Sequence, residues 1–483
     1  MSADIIARGL AAAQARSANT QVLQRAIRTN AFFPQPLWRC PANDVATITV
    51  PAASAASTIA GTNYVSFSDA SRIKWLAGAA NKDGNGNFFA RGTWYVGGRT
   101  TNYASFEIEF VGSKFEFILT SSAIDGVSQP NLRVLVGDRI AGTAAVPADG
   151  GARHIAVQFP AAAARRVRIE VAGGAFYAMK FAALSEVSPV KRNYPLVTVI
   201  GDSFGEGTGT IPYDGEAISA IRAIGCNCAL AAVGGTGILN PGAGGKVNWQ
   251  DANRLSDLAL NGFTDQISGS APNPAMAVIM MSVNDNAMGS ANWGGAATYQ
   301  AAVAKGLFAL IDHWQTQRPG KPLVVFGPTW PNENPTLDIF RIRDAGQEVC
   351  HGTPNVWFID RLGPGPALRK GTLSSTATTG TLTNASKIIS ALGSVSGVGI
   401  GSAVIGSGIP AGARVASIDS ASQITLDVNA AAGGAGVALL FRNDAAALYT
   451  TTSDSTHPSA SGHNHDALWM ARQLHHLIFT QFA

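Results

Sequence analysis

One serine, one asparagine and an aspartate–histidine pair have the types and positions that acyl transfer needs. The apolar run Val197–Ile200 stops at Gly201-Asp202-Ser203, and the glycine-rich GEGTG follows, so little side chain covers Ser203. Asn284-Asp285 follows a second apolar run, AVIMMSV. Asp454 and His457 lie three residues apart in SDSTHPSASGH. On a loop or first helical turn, that spacing lets the carboxylate accept a bond from the imidazole. The tautomer is then fixed and Nε2 is left to act as base. A serine hydroxyl needs such a base to attack an acyl carbon. The developing oxyanion needs donors already aimed at it. The Ser203 N–H, a glycine N–H and the Asn284 amide supply three, with Gly234, Gly235 and Gly237 of AAVGGTGILN offering the glycine.

These residues need a frame that brings strand ends together. LVTVI, CNCALAAV, AMAVIMM, PLVVFGP and NVWFID are short, continuously apolar runs. Between them lie helical candidates, including EAISAIRAIG and the stretch from Ala296 to Gln317. Fully apolar strands alternating with helices predict a parallel sheet covered on both faces. Such a sheet binds ligands beyond the carboxyl ends of its strands, where the polar stretches fall.

The rest of the chain is patterned differently. From about Asp44 to Val187 the period is two, as in Phe106, Ile108 and Phe110 alternating with Glu107 and Glu109. Val167, Ile169 and Val171 likewise alternate with Arg166, Arg168 and Glu170. That predicts an antiparallel β-sandwich, jelly-roll-like. SPVKRNYP then reads as a linker. From Gly371 to Arg442 the chain is rich in Gly, Ser, Thr, Val and Ile and nearly free of charge, which predicts a small all-β insertion. Residues from Ala3 to about Ile27 carry apolar positions at helical spacing, either to pack on the next domain or to self-associate. The expected partition is a helical segment (1–43), a β-sandwich (44–190), an α/β domain (195–370 plus 443–483) and the insertion (371–442). A chain of 483 residues is long enough for several cores.

Composition excludes other classes. The net charge is +4 and no Lys/Arg cluster stands out, so nucleic acid is not the expected partner. Cys40, Cys226, Cys228 and Cys350 are too few and scattered for a disulfide framework and read as buried thiols. Asp4, Arg8 and Arg16 interrupt any secretory h-region, so no signal peptide is expected. No stretch offers the roughly twenty apolar residues of a membrane span, so no membrane insertion is expected. His463 and His465 lie near His457, but two apart they diverge on a helix, and metal is not expected. His475-His476 reads as surface or partly buried. Glu206 reads as a cap or solvent-facing residue, with substrate binding as the alternative. Trp293, Trp330 and Tyr213 follow motif strands and are candidates to stack on sugar rings, with core packing or loop anchoring the alternative for each.

Singly, Gly-Asp-Ser, Asn-Asp and Asp-x-x-His recur by chance. Their order and strand-end placement give the combination its weight. Together GDSFGEG, the glycine loop, SVNDN and DSTHP resemble the SGNH (GDSL-type) hydrolases, over residues 195–370 plus 443–483. The resemblance implies Ser203 as nucleophile and first oxyanion donor, Gly235 as second (Gly237 in a shifted register) and Asn284 as third. It implies His457 as base, Asp454 as its orienter and no cofactor. The family's third block usually reads Gly-x-Asn-Asp, whereas here Ser282 replaces the glycine. Asp202 is expected to bond turn amides near the nucleophile.

A β-sandwich ahead of such a domain resembles the layout of carbohydrate acetylesterases. GSGIPAGARVASIDSASQITLDV resembles a β module of phage tail and virion proteins, and ADIIARGLAAAQA is similar to the start of some tail-fibre proteins. These resemblances imply a tail-spike or tail-fibre esterase in the virion tail, freed by host lysis, that removes O-acetyl groups from a bacterial surface polysaccharide. Contacts with other virion tail proteins and homotrimer formation would follow, although no heptad repeat marks the latter. The insertion, entering after the fifth strand and returning before Asp454, is expected near the catalytic mouth. The alternatives are a bacterial lipase or acetylxylan-type esterase unrelated to virions, and a glycan-binding structural tail adhesin.

Overall fold

The computed structural model describes residues 18–29, 39–66, 69, 71–77, 79–82, 88–91, 103–121, 131–172, 174–191, 194–210, 212–260, 272–330, 335–362, 376–398, 402–410, 413–442 and 456–482. Two compact units emerge. One comprises residues 1–329, 336–366 and 463–483, the other 330–335 and 367–462. The fold is multi-sheet α/β, with parallel and antiparallel sheets.

In the first unit five strands form an all-parallel sheet. Their spatial order is Asn227–Ala232, Leu196–Gly201, Met276–Met280, Leu323–Phe326 and Val356–Ile359. The strand that leads to Ser203 is second in the row, between the strand that leads to the glycine loop and the one that leads to Asn284. Parallel pairing therefore delivers all three polar blocks to one edge. The apolar runs are buried because helices cover the sheet, among them Glu216–Ala223, Ala296–Gln317 and Ala460–Thr480. Leu474, Leu477 and Ile478 of the last helix join a core with Val197, Val199 and Val278. Residues 18–29 are helical. Leu23 and Ala26 enter that same core, and Thr20 Oγ1 donates to the Phe482 carbonyl at 2.8 Å. The apolar positions Ile5, Ile6 and Leu10 lie outside the described residues.

The same unit holds an eleven-stranded antiparallel sheet built on two long strands, Tyr103–Ser121 and Ala152–Ala172. Their pairing slips between Gly112 and Lys114. Phe106, Phe110, Phe115, Phe117 and Phe159 come from both sides of that slip and share one core. Phe110 and Phe115 meet edge to face at 5.1 Å across it. Each fully buried phenylalanine is worth roughly 1.5–3 kcal/mol over exposure.

The alternate, polar face is buried too. Glu107 and Glu170 are fully buried. Arg168 Nη2 meets Glu107 at 2.7 Å, and the Tyr194 hydroxyl donates to the same carboxylate at 2.9 Å. Glu170 pairs with Arg133 at 2.6 Å and with Arg222 of the helix Glu216–Ala223. Arg133 also reaches Asp214 at 2.7 Å. These ion pairs form a seam between the antiparallel and parallel sheets.

The second unit holds a six-stranded antiparallel sheet between Thr376 and Arg442, with its own core of Leu382, Ile389, Ile424, Leu426 and Phe441. Among the described residues no helix is long and apolar enough to cross a membrane. All four cysteines are buried free thiols.

Candidate active site

Ser203 begins a four-residue helix, Ser203–Glu206, directly after the strand Leu196–Gly201 and the N-cap Asp202. An aspartate suits an N-cap because its carboxylate accepts an otherwise orphaned amide. Asp202 Oδ1 accepts from the Phe204 N–H at 3.0 Å. Gly207, at φ 87°, ends the helix, and its N–H donates to the Ser203 carbonyl at 3.0 Å. Ser203 itself is 7% exposed.

The glycine loop lies against this turn. A Cβ on Gly234 would fall 3.3 Å from Ser203 Cβ and 2.8 Å from Glu206 Oε2, so only glycine fits that approach. Glu206 Oε2 accepts from the Gly234 N–H at 2.8 Å, which makes Glu206 a tie between the helix Ser203–Glu206 and the loop. Neither role expected for Glu206, cap or substrate contact, describes this bond.

Hydrogen-bond accounting separates the two glycine registers. The Thr236 N–H is given to Val233 O, and the Gly237 N–H to Asn240 O at 2.8 Å. The Gly234 N–H is given to Glu206. Gly235, at φ 79°, has no acceptor for its N–H among the described residues. Of the two candidate glycines, the Gly237 N–H is thus spent within the loop, whereas the Gly235 N–H has no partner among the described residues.

Asn284 opens a short 3-10 segment, Asn284–Ala287. Its Nδ2 lies 3.2 Å from the Thr236 carbonyl and 3.4 Å from Asp202 Oδ2. These bonds hold the amide beside the Ser203 turn. Ser282 does not take a positive φ. Its Oγ is 2.8 Å from both Asp202 Oδ2 and the Thr236 carbonyl, and accepts from the Asn284 N–H at 2.9 Å. Its hydroxyl thus joins all three blocks. Asp202 Oδ2 also accepts from the Val283 N–H at 3.1 Å. Burial pushes the Asp202 carboxyl above the ordinary carboxylate range, opposed by the Ser282 hydroxyl and the Phe204 and Val283 amides.

Sequence reasoning gave Asp285 no role beyond its neighbour's. Its Oδ2 accepts from the Ile238 N–H at 2.8 Å. Its Oδ1 accepts from Leu239 and Asn240 at 2.8 and 2.9 Å. It therefore clamps the end of the glycine loop to the asparagine block. Burial pushes its pKa up to about 6, against the pull of those three amides. The one available signal was the adjacency of a second carboxylate-type residue to Asn284.

The remaining predicted residues divide. His457 is half-buried, three residues before the final helix Ala460–Thr480, and belongs to the second unit, as does Trp330. Asp454 lies outside the described residues. Trp293 is half-buried at the end of the 3-10 segment Ser290–Trp293. The stacking role expected for Tyr213 does not hold. Its ring is 2% exposed in the core, with the Arg133 guanidinium 4.2 Å from the ring centroid, so it packs inside instead.

His463 is also interior. Its Nε2 is 2.9 Å from the Thr208 carbonyl, and Nδ1 faces Glu216 Oε2 at 3.8 Å. The carbonyl only accepts, so Nε2 carries the proton. Arg361 completes this cluster, reaching Glu216 at 2.9 Å and Asp466 at 3.4 Å. Thr208 in turn donates its N–H to Ser203 O at 2.9 Å, so the cluster braces the Ser203 turn. His475 and His476 are exposed. Among the described residues no three His, Cys, Asp or Glu are grouped to hold a metal.

No protein-family profile matches the chain. No curated protein matches it either. Among solved structures it is similar to a family two carbohydrate esterase from Cellvibrio japonicus, with a TM-score of 0.44 and 16% identity over 62% of this chain and 88% of that one. It is similar to an acetyl xylan esterase from the rumen bacterium Butyrivibrio proteoclasticus, at TM-score 0.42 and 14% identity over 62% and 89%. It is also similar to a family two carbohydrate esterase from Clostridium thermocellum in complex with cellohexaose, at TM-score 0.41 and 15% identity over 62% and 91%.

Proposed function

We propose that the protein is a serine esterase that removes O-acetyl groups from a bacterial surface polysaccharide, acting as a phage tail protein. The observation that carries the esterase part is the grouping of the Asn284 amide and a Gly235 N–H with no partner among the described residues around the turn that starts at Ser203. Donors fixed before substrate arrives stabilise an oxyanion without reorganising.

In this reading Ser203 Oγ attacks the acetyl carbonyl carbon as its proton passes to His457 Nε2, with Asp454 holding the imidazole. The Ser203 and Gly235 N–H groups and the Asn284 amide take the oxyanion. Collapse breaks the bond to the sugar oxygen, which leaves with the proton. Water, giving its proton to His457, then attacks acyl-Ser203 and releases acetate. The polysaccharide and the tail rest on the sequence resemblances of the insertion and the chain start.

The test is acetate release from p-nitrophenyl acetate and from acetylated surface polysaccharide, with Ser203→Ala as control. Serine-dependent release from both supports the reading. Release from p-nitrophenyl acetate alone would leave an esterase with another alcohol. No serine-dependent release from either would sink the enzyme.

A further inference from the structure

A lysine lies on the far side of the oxyanion glycine. Lys246 Nζ donates to the Gly234 carbonyl at 2.7 Å. That carbonyl and the Gly235 N–H belong to one planar peptide unit, and in a trans peptide they point in opposite directions. A cation bonded to the oxygen draws electron density away from the nitrogen. The N–H at the other end becomes the stronger donor, as hydrogen bonds in series polarise one another. A charge-assisted bond also fixes the plane in which that N–H points.

The surroundings hold Lys246 to this task. Gly242 lies under its stem, where an added Cβ would meet Lys246 Cδ at 3.3 Å. The Gly242 N–H is fixed to Asn240 Oδ1 at 2.8 Å. Trp249, three residues beyond the lysine, is fully buried. Its N–H donates to Gly237 O at 2.9 Å, and its indole N–H to Thr236 Oγ1 at 3.0 Å. The opposite face of Gly234 is held by Glu206 on the N–H. Gly234 is thus held at its N–H by Glu206 and at its carbonyl by Lys246, and the other end of the carbonyl's peptide unit is the Gly235 N–H that the oxyanion needs.

We propose that Lys246 is a positioning residue for the proposed esterase reaction, orienting and strengthening the Gly235 N–H through the Gly234 carbonyl. This rests on the reading of Ser203 as nucleophile. Lys246 gains its effect when charge develops on the acyl oxygen, so it acts on the transition state and not on substrate binding.

The experiment compares full-length wild type, Lys246→Met, Lys246→Arg and Ser203→Ala. It reads kcat and KM on p-nitrophenyl acetate and affinity for a small alkylboronic acid, which forms an anionic tetrahedral adduct on a serine hydroxyl. Lys246→Met keeps the stem and loses the charge. It is expected to lower kcat and boronate affinity together by roughly tenfold, with KM within about twofold. Lys246→Arg is expected to restore most of both. Unchanged values in Lys246→Met, or a loss of kcat with boronate affinity intact, would overturn the proposal. If Lys246→Met does not fold, as read by its thermal melt, Lys246→Gln takes its place under the same criteria. Activity that survives Ser203→Ala would instead overturn the esterase reading, and the lysine's role with it.

Discussion

Buried carboxylates are handled in two ways in this protein. At the seam between the sheets, Glu107 and Glu170 face guanidinium groups: Arg168 for the first, Arg133 and Arg222 for the second. At the candidate site, Asp202 and Asp285 face neutral donors: backbone amides, the Ser282 hydroxyl and the Asn284 amide. A guanidinium neutralises a buried charge and locks two surfaces together, although desolvation consumes much of the attraction. Amides and hydroxyls stabilise a carboxylate without adding a positive charge, and each bond fixes one backbone direction. The seam therefore holds the two sheets of the first unit together, whereas the site carboxylates fix the backbone of the Ser203 turn, the glycine loop and the asparagine block.

That contrast predicts separable effects. The largest is at the seam. Glu170→Ala leaves Arg133 and Arg222 without their shared carboxylate and should cost about 3–5 kcal/mol in chemical denaturation. The kcat of the molecules still folded should stay near wild type. A similar loss of kcat would merge the two regions. Next comes Asp285→Ala, which leaves three amides unpaired and should cost about 3 kcal/mol. Here kcat should also fall by at least about tenfold, because the glycine loop loses its clamp.

The third effect is one of pH. Asp285 binds its proton more tightly folded, at about 6, than unfolded. Its contribution to stability is therefore fully present below the unfolded carboxylate value near 4 and declines as pH rises to about 6. The slope is at most about 1.4 kcal/mol per pH unit. Denaturation of wild type and Asp285→Asn across that window should show the steeper decline in wild type, since the raised Asp202 carboxyl is common to both. The smallest effect returns to the seam. Tyr194→Phe removes one hydrogen bond to Glu107, which keeps Arg168, and should cost about 1 kcal/mol with kcat unchanged.

Much of this frame was legible in the sequence. The five apolar runs became the parallel sheet because burial on both faces leaves few polar positions in a strand, Thr198 among them. Ser203 and Asn284 follow neighbouring strands for the same reason. Two kinds of information were not legible. One is which partner a buried polar residue finds: Glu107 and Glu170 alternate as strand residues should, but nothing local names Arg168 or Arg222. The other is which donors remain unspent. The motif puts Gly235 first and Gly237 second in a shifted register, but only the fold shows that Asn240 takes the Gly237 N–H. Lys246 had no signal at all, because its bond runs to a backbone carbonyl. Tyr213 misled because an aromatic after a motif strand suits a ligand or a core equally well.

The central claim is that Ser203 is a nucleophile. A fluorophosphonate probe, which forms a stable adduct with activated serines, tests it most directly. The expected result is one adduct, on the peptide carrying Ser203, formed in step with loss of p-nitrophenyl acetate hydrolysis and absent from Ser203→Ala. An adduct on another residue, or full hydrolysis by Ser203→Ala, would contradict it.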